Sequence, residues 1–395
     1  MKKVIVAAAG LALVGTMATS AMAEFKFSGD ARARFYYNSN FDDTWTIYPT
    51  DDDSADLWNS RIRFKMEAET KGGAYVKTRL RLTETTYGNG DWDGARGSRN
   101  KNNNIYTDYG YIGVPFGPVT VEAGLVVRDI TPFFYFDERA DSLQVKFKND
   151  MTSLVAFFDK VNETETDNFN NSDADMFGFL LNQEFGGGWG LLVGAVYQDN
   201  YNDPNSGGDG SDAGFGATVQ VNGSIGSVAL LGELAYQEAD FLSHTGDDGI
   251  GGYVQATVPV GPVSIMGMVG FTYDGFNLDE GDFGPFIILL DYSQISLGTD
   301  FSEVGDSIFA AIAPSFQVTE DLTLGAQFTY VNISDTYSET GYGGYDDQDL
   351  FEIGATASYA VTDGATLTAM IGYADVDELG NENPTAVGLE LAISF

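Results

Sequence analysis

The chain has 395 residues, no cysteine, a single histidine and a net charge of −38 at pH 7. Without cysteine it has no disulfide framework and no thiolate metal site. Its 58 acidic residues against 20 basic ones argue against nucleic acid as a partner, because nucleic acid binds basic surfaces. The stability of the fold must therefore come from backbone pairing and packing.

The N-terminus has the three parts of a secretory signal peptide in order. Lys2 and Lys3 come first, an apolar stretch follows over residues 4–18, and small residues at 21–23 suit a cleavage site. We predict a signal peptide over residues 1–23 and a mature protein that begins at Glu24. The alternative is a membrane anchor, but the apolar stretch is shorter than the ~20 residues that span a bilayer.

Apolar residues then recur at alternate positions in segments of about ten residues, separated alternately by tight turns and by longer acidic loops. We count up to 18 such segments, and the longest connection, residues 274–305, is predicted to be an external loop. The pattern predicts one domain over residues 24–395, a transmembrane antiparallel up-and-down β-barrel of 18 strands, with 16 as the alternative count. A soluble β-sandwich with scattered aromatic residues is the competing fold.

The first three segments alternate cations with apolar residues, and every Lys and Arg of the chain precedes residue 161. A period of two places all the charges of a strand on one face. That face must line the lumen, because an arginine facing lipid at the bilayer midplane costs about 2–4 kcal/mol. The cations so placed include Arg32, Arg34, Arg61, Arg63, Lys65, Arg79 and Arg81.

The connection after the fifth segment is unusual for a loop in water. Residues 130–136 are almost entirely apolar, and Asp137 and Glu138 follow them. We predict that this third loop folds into the barrel, with its aromatic rings on the inner wall and its two acids facing the cations. The alternative is that it extends outward and buries its rings against other loops or a neighbouring molecule.

Residues 28–37, 58–64 and 117–124, together with the terminal Phe395, resemble the general trimeric porins of Gram-negative outer membranes, and more closely the homotrimeric porins of sulfate-reducing bacteria. The resemblance implies a homotrimer in the outer membrane, in contact with its lipid and lipopolysaccharide, and passive diffusion of small hydrophilic solutes. It also implies an inward third loop opposite an arginine cluster. General porins usually have 16 strands and sugar-specific porins 18, so the count and the subclass stay open. On this pattern Arg128 joins the cations, and we call the resulting set of eight the predicted basic wall: Arg32, Arg34, Arg61, Arg63, Lys65, Arg79, Arg81 and Arg128.

Other chemistry has weaker support. Acidic clusters at residues 51–56, 207–212 and 346–349 could bind Ca²⁺ or Mg²⁺ but lack complete ligand spacing, so no cofactor is predicted. The single histidine, His244, lies in a polar loop and does not predict a hydrolase.

We therefore predict a weakly selective porin that catalyses no reaction. One alternative is a substrate-selective channel, either for anions along the predicted basic wall or for sugars along the rings of residues 133–136. The other is a structural or adhesive barrel whose acidic loops bind divalent cations.

Overall fold

The computed structural model of the chain describes residues 22–39, 54–87, 105–162, 174–201, 211–239, 241, 248–278, 283–289, 301, 305–336, 348–376 and 383–395. Most of the predicted signal peptide, residues 1–23, lies outside this part of the chain. No helix within these residues is long and apolar enough to cross a membrane.

Eighteen β-strands account for nearly all the regular structure of the described residues. They are β1 (Met22–Ser39), β2 (Ser54–Thr70), β3 (Tyr75–Tyr87), β4 (Tyr106–Phe116), β5 (Val119–Arg128), β6 (Glu138–Lys148), β7 (Thr152–Asn162), β8 (Ala174–Phe185), β9 (Trp189–Tyr201), β10 (Ser211–Ile225), β11 (Val228–Gln237), β12 (Gly249–Val260), β13 (Val263–Tyr273), β14 (Gly305–Gln317), β15 (Leu322–Thr336), β16 (Gln348–Thr362), β17 (Ala365–Asp375) and β18 (Thr385–Ser394).

The strands form one closed antiparallel barrel. Each strand pairs with the next along the chain, and β1 also pairs with β18. The last residue completes this seam. The amide of Gly29 donates to the carbonyl of Phe395 at 2.8 Å, and the amide of Phe395 donates to the carbonyl of Gly29 at 3.0 Å. The prediction of 18 strands is confirmed for the described residues, and the alternative of 16 is wrong.

Tight turns join the strands at the end of the barrel where β1 begins and β18 ends. The turn between β4 and β5 and the turn between β12 and β13 use closely similar sequences. In both, a glycine adopts positive φ, 64° at Gly117 and 63° at Gly261. Residues with side chains rarely adopt this conformation, so glycine suits both turns.

Side chains alternate between the outer and the inner face of the barrel, as a membrane barrel requires. On β13, Val269 and Phe271 are exposed on the outer face, whereas Met268 before them and Thr272 after them are buried towards the inside. The apolar face of each strand therefore points out. The chemistry of the lumen is set by the inward-facing side chains of the strands and by the loops that enter the barrel.

Candidate functional site

Most of the predicted basic wall lies side by side on the first three strands. Arg32 of β1 is directly opposite Arg61 of β2, and Lys65 of β2 is directly opposite Arg79 of β3. Directly opposite residues share one face of the sheet, with Cβ atoms about 5 Å apart. The structure brings seven of the eight residues together, and we call this set the cation ladder: Arg32, Arg34, Arg61, Arg63, Lys65, Arg79 and Arg81.

Carboxylates interleave with the cation ladder and neutralise part of its charge. Asp30 accepts a hydrogen bond of 2.7 Å from Arg63 and lies 3.8 Å from the ammonium of Lys65. Glu390 of β18 pairs with Arg34 across the closing seam. Sequence analysis missed Glu390, although it is the single charged residue of its strand and falls on the alternation that faces the lumen.

Asp108 of β4 joins three arginines. Its side chain is fully buried and pairs with Arg79, with Arg81 at 2.9 Å and with Arg139 of β6 at 3.0 Å. Hydrogen bonds between such charged groups are stronger than neutral ones. Sequence analysis also missed Asp108, because a shift in the β3–β4 register at Arg79 leaves it outside the regular alternation, next to Tyr109.

The predicted acidic pair at the end of the third loop is placed in two different ways. Arg139 donates to the carboxylate of Asp137 at 2.9 Å and also to its backbone carbonyl. Asp137 is thereby linked to the cation ladder through Arg139 and Asp108. Glu138 is exposed and lies opposite Arg128 in the β5–β6 register.

Arg128 lies apart from the cation ladder. It donates two hydrogen bonds of 2.8 Å to Asp159 of β7 and one of 3.0 Å to Gln144. Its guanidinium also lies 3.8 Å from the ring centroid of Phe157, and only 6% of the residue is exposed. Bidentate pairing together with cation–π contact holds the group firmly. Its charge is thus compensated inside the wall formed by β5, β6 and β7.

Aromatic rings hold several cations of this region in place. The guanidinium of Arg79 lies 4.8 Å from the ring centroid of Tyr109, and the ammonium of Lys77 lies 5.0 Å from that of Tyr75. A cation over an aromatic face is attracted by the ring quadrupole. These contacts therefore limit how far the cations can swing into the lumen.

The third loop folds into the barrel, as predicted. Phe133 and Phe134 are fully buried, and the ring centroid of Phe133 lies 5.0 Å from that of Tyr253 on β12. The hydroxyl of Thr131 donates to Glu233 of β11. Since the loop leaves from β5 and returns to β6, contacts with β11 and β12 carry it across the interior.

A second loop, which follows β13, also enters the barrel. Its residues 283–289, which we call the strap, include Ile288 and Leu289, both almost completely buried. The backbone amides of residues 287–289 donate to Glu352 of β16. The prediction of a wholly external loop over residues 274–305 is therefore wrong for the strap. The apolar run at residues 283–290 was the available signal, because such a run is unstable in water.

The third loop, the strap and nearby loop residues pack into one apolar cluster, which we call the plug. Within it the rings of Phe133 and Phe276 stack with centroids 5.1 Å apart. Glycines of the wall leave room for these rings: a Cβ atom at Gly251 would lie 2.5 Å from the ring of Phe276. The loop side chains of the plug are Ile130, Phe133, Phe134, Tyr135, Phe241, Phe276, Leu278, Phe283, Phe286, Ile287, Ile288, Leu289, Phe301 and Val376.

The cation ladder and the plug therefore form two chemically different sides of the barrel interior. The plug packs on inward residues of the strands from β7 onward, among them Met176, Val196 and Phe309, and on Tyr36 near the end of β1. The Lys65 side chain in the ladder is 41% exposed. The arrangement suits a water-filled opening with charge on one side and apolar groups on the other.

Metal chemistry has no support within the described residues. No group of three or more His, Cys, Asp or Glu side chains there could hold a metal ion. The acidic clusters predicted at residues 51–56, 207–212 and 346–349 lie partly outside the described part of the chain, and His244 lies outside it entirely.

Comparison with known proteins gives a family match and several structural neighbours. A family model described as Gram-negative porin matches residues 7–381, whereas no curated protein matches the chain. OccAB3 of Acinetobacter baumannii superposes with a TM-score of 0.63 at 11% identity, over 94% of this chain and 100% of that one. OccK5 (OpdH) of Pseudomonas aeruginosa gives 0.62 at 10% identity, over 93% and 98%. OprD of the same organism gives 0.57 at 15% identity, over 94% and 96%. At these identities the likeness to the solved structures is one of fold.

Proposed function

We propose a function on the premise that the chain belongs to the Gram-negative porin family and is an outer-membrane channel, not an enzyme. Small hydrophilic solutes and ions diffuse passively between the cation ladder and the plug, with a weak preference for anions. One observation carries this proposal: the cations are concentrated on β1–β3, and the plug they face is apolar. The space between the cation ladder and the plug, which we call the narrow zone, therefore carries positive charge on the ladder side only.

The preference is weak because two effects oppose the ladder. Asp30, Asp108 and Glu390 neutralise part of its charge, and the acidic external sequences enrich cations at the mouths of the channel. A permeating ion responds mainly to charges within about 8 Å, the Debye length at physiological ionic strength. In the narrow zone those charges belong to the ladder, so its sign decides the direction of the preference.

A substrate-selective anion channel is the second candidate. Alternate residues of a strand are separated by about 6.8 Å, so Arg61, Arg63 and Lys65 give β2 a cation at three successive heights. An anion could pass from one to the next. Conductance that saturates as the concentration of a small carboxylate or phosphate rises would favour this candidate over unspecific diffusion.

We do not adopt the sugar-selective alternative. It required the rings of residues 133–136 to stack against a passing solute, but Phe133, Phe134 and Tyr135 are buried in the plug, and of the four rings only Phe136 is partly exposed. Rings with no exposed face cannot serve as a stacking track.

We further propose that the barrels form homotrimers, that residues 1–23 are removed on export, and that the chain is related to the homotrimeric porins of sulfate-reducing bacteria. The stretches 28–37, 58–64 and 117–124 support the trimer and this relationship, and the charged, apolar and small-residue parts of residues 1–23 support cleavage. The sedimentation mass of the purified protein in detergent tests the trimer, and N-terminal sequencing tests cleavage before Glu24.

Swelling of proteoliposomes tests the proposed function directly. Vesicles that contain the protein are diluted into isotonic solutions of neutral sugars of increasing size. We expect rapid swelling with the smallest sugars and slower swelling as the sugar grows. Swelling no faster than that of protein-free vesicles would contradict the channel and favour a structural or adhesive barrel.

A further inference from the structure

Glu352 is a buried carboxylate on the inner face of β16, with only 1% of the residue exposed. It accepts hydrogen bonds from the backbone amides of Ile287 at 2.7 Å, Ile288 at 2.9 Å and Leu289 at 3.0 Å. The side-chain amide of Gln327 on β15 donates a fourth at 2.8 Å. A carboxylate can accept about four hydrogen bonds, so Glu352 is fully engaged, and three of its four donors belong to the strap.

The strap depends on Glu352 more than a loop usually depends on one side chain. An amide that loses its acceptor in a buried site destabilises the fold, and here one carboxylate serves three consecutive amides. Each hydrogen bond to the charged carboxylate is also stronger than one to a neutral acceptor. The backbone of the strap is thus positioned by a single residue of the wall.

Glycines of the neighbouring strands hold the side chains of the strap in the same position. A Cβ atom at Gly354 would lie 2.6 Å from the Cδ1 atom of Ile287. A Cβ atom at Gly372 of β17 would lie 3.1 Å from the Cγ2 atom of Ile287 and 3.2 Å from the Cδ1 atom of Ile288. The wall therefore offers a recess for the two isoleucines directly beside the carboxylate that holds their amides.

The position of the strap bears on the size of the opening, because the strap belongs to the plug that faces the cation ladder. We propose that Glu352 is a positioning residue that sets the size limit of the channel by holding the strap against β15–β17. This inference rests on the proposed function. Release of the strap lets its residues leave the recess and changes the largest solute that passes.

A pair of isosteric substitutions tests the proposal. Glu352→Gln and Glu122→Gln each remove one buried carboxylate charge from the inner wall, but the partners of Glu122 are Tyr75, Gln144 and Lys146, which all lie outside the strap. We expect Glu352→Gln to raise the size cut-off for polyethylene glycols that enter the channel and to speed hydrogen exchange of amides 287–289. Glu122→Gln should leave both at wild-type values.

A second substitution reaches the strap without touching Glu352. Gly372→Val fills the recess and should also raise the size cut-off, whereas Gly267→Val, where an added Cβ atom meets nothing within 4 Å, should not. The size cut-off is measured only for variants that fold, as judged by heat-modifiable migration. If Glu352→Gln does not fold, the size cut-off of Gly372→Val tests the proposal instead. A wild-type cut-off in the folded Glu352→Gln or Gly372→Val protein would overturn the proposal, and so would faster exchange of the strap amides with an unchanged cut-off. A wild-type protein that forms no channel would instead overturn the proposed function.

Discussion

Replacing Arg79 and Arg81 together by serine will shift the reversal potential of the channel towards cation selectivity. Both belong to the cation ladder and pair with Asp108, so the double substitution removes two positive charges and keeps the carboxylate. A unit charge about 7 Å from an ion is worth about 0.6 kcal/mol in water, and screening at 0.1 M salt roughly halves this. Two lost charges act oppositely on anions and cations, so the anion-to-cation permeability ratio should fall about eightfold. Single-channel recording in a salt gradient measures this ratio.

The matched control is the double substitution of Arg79 and Arg81 by lysine, which keeps both charges and should keep the sign of the reversal potential. The Arg-to-Ser protein should also conduct better, because two long side chains are lost from the lumen. Leu80 points to the opposite face, so Leu80→Asp should impair folding instead. Unaltered conductance and selectivity in the Arg79 and Arg81 double serine variant would show that these side chains do not border the conducting path.

Placing an arginine on the outer face of β12 will destabilise the folded protein strongly. Val254 is 59% exposed on that face, midway along the strand. An arginine there faces lipid near the bilayer midplane, at a cost of about 2–4 kcal/mol. We expect Val254→Arg to lower the free energy of unfolding in lipid vesicles by about this amount, measured by reversible urea denaturation.

The adjacent residue supplies the control. Gln255 points to the inside of the barrel, opposite Met268, so Gln255→Arg should cost clearly less than Val254→Arg. Equal destabilisation by the two substitutions would mean that the inner and outer faces of β12 have been assigned wrongly, or that neither faces lipid.

Much of the architecture follows from the period-two alternation alone. Each pore-facing cation of β1, β2 and β3 alternates with an apolar residue, so a regular strand leaves no choice about which face it occupies. The same rule placed Arg32 and Arg61 on the lumen face, whereas their direct opposition is set by the register of β1 and β2. The inward third loop was predictable because seven largely apolar residues in a loop have no stable place in water.

The remaining features depend on contacts that alternation does not encode. Asp108 enters the site through a register shift, which depends on the pairing of two strands and not on either alone. The strap is fixed by Glu352, more than 60 residues away in the chain. Arg128 sits on the correct face, but its contact with Asp159 and the ring of Phe157 buries it, and only the packing shows this.

The measurement that tests the account most directly is the reversal potential of the wild-type channel in a planar bilayer with a gradient of potassium chloride. A water-filled opening bordered by the cation ladder should give discrete conductance steps and a small reversal potential of the sign that marks chloride as the more permeant ion. A potential of the opposite sign would mean that the acidic mouths, and not the ladder, control permeation. The absence of conductance steps would contradict the open lumen itself.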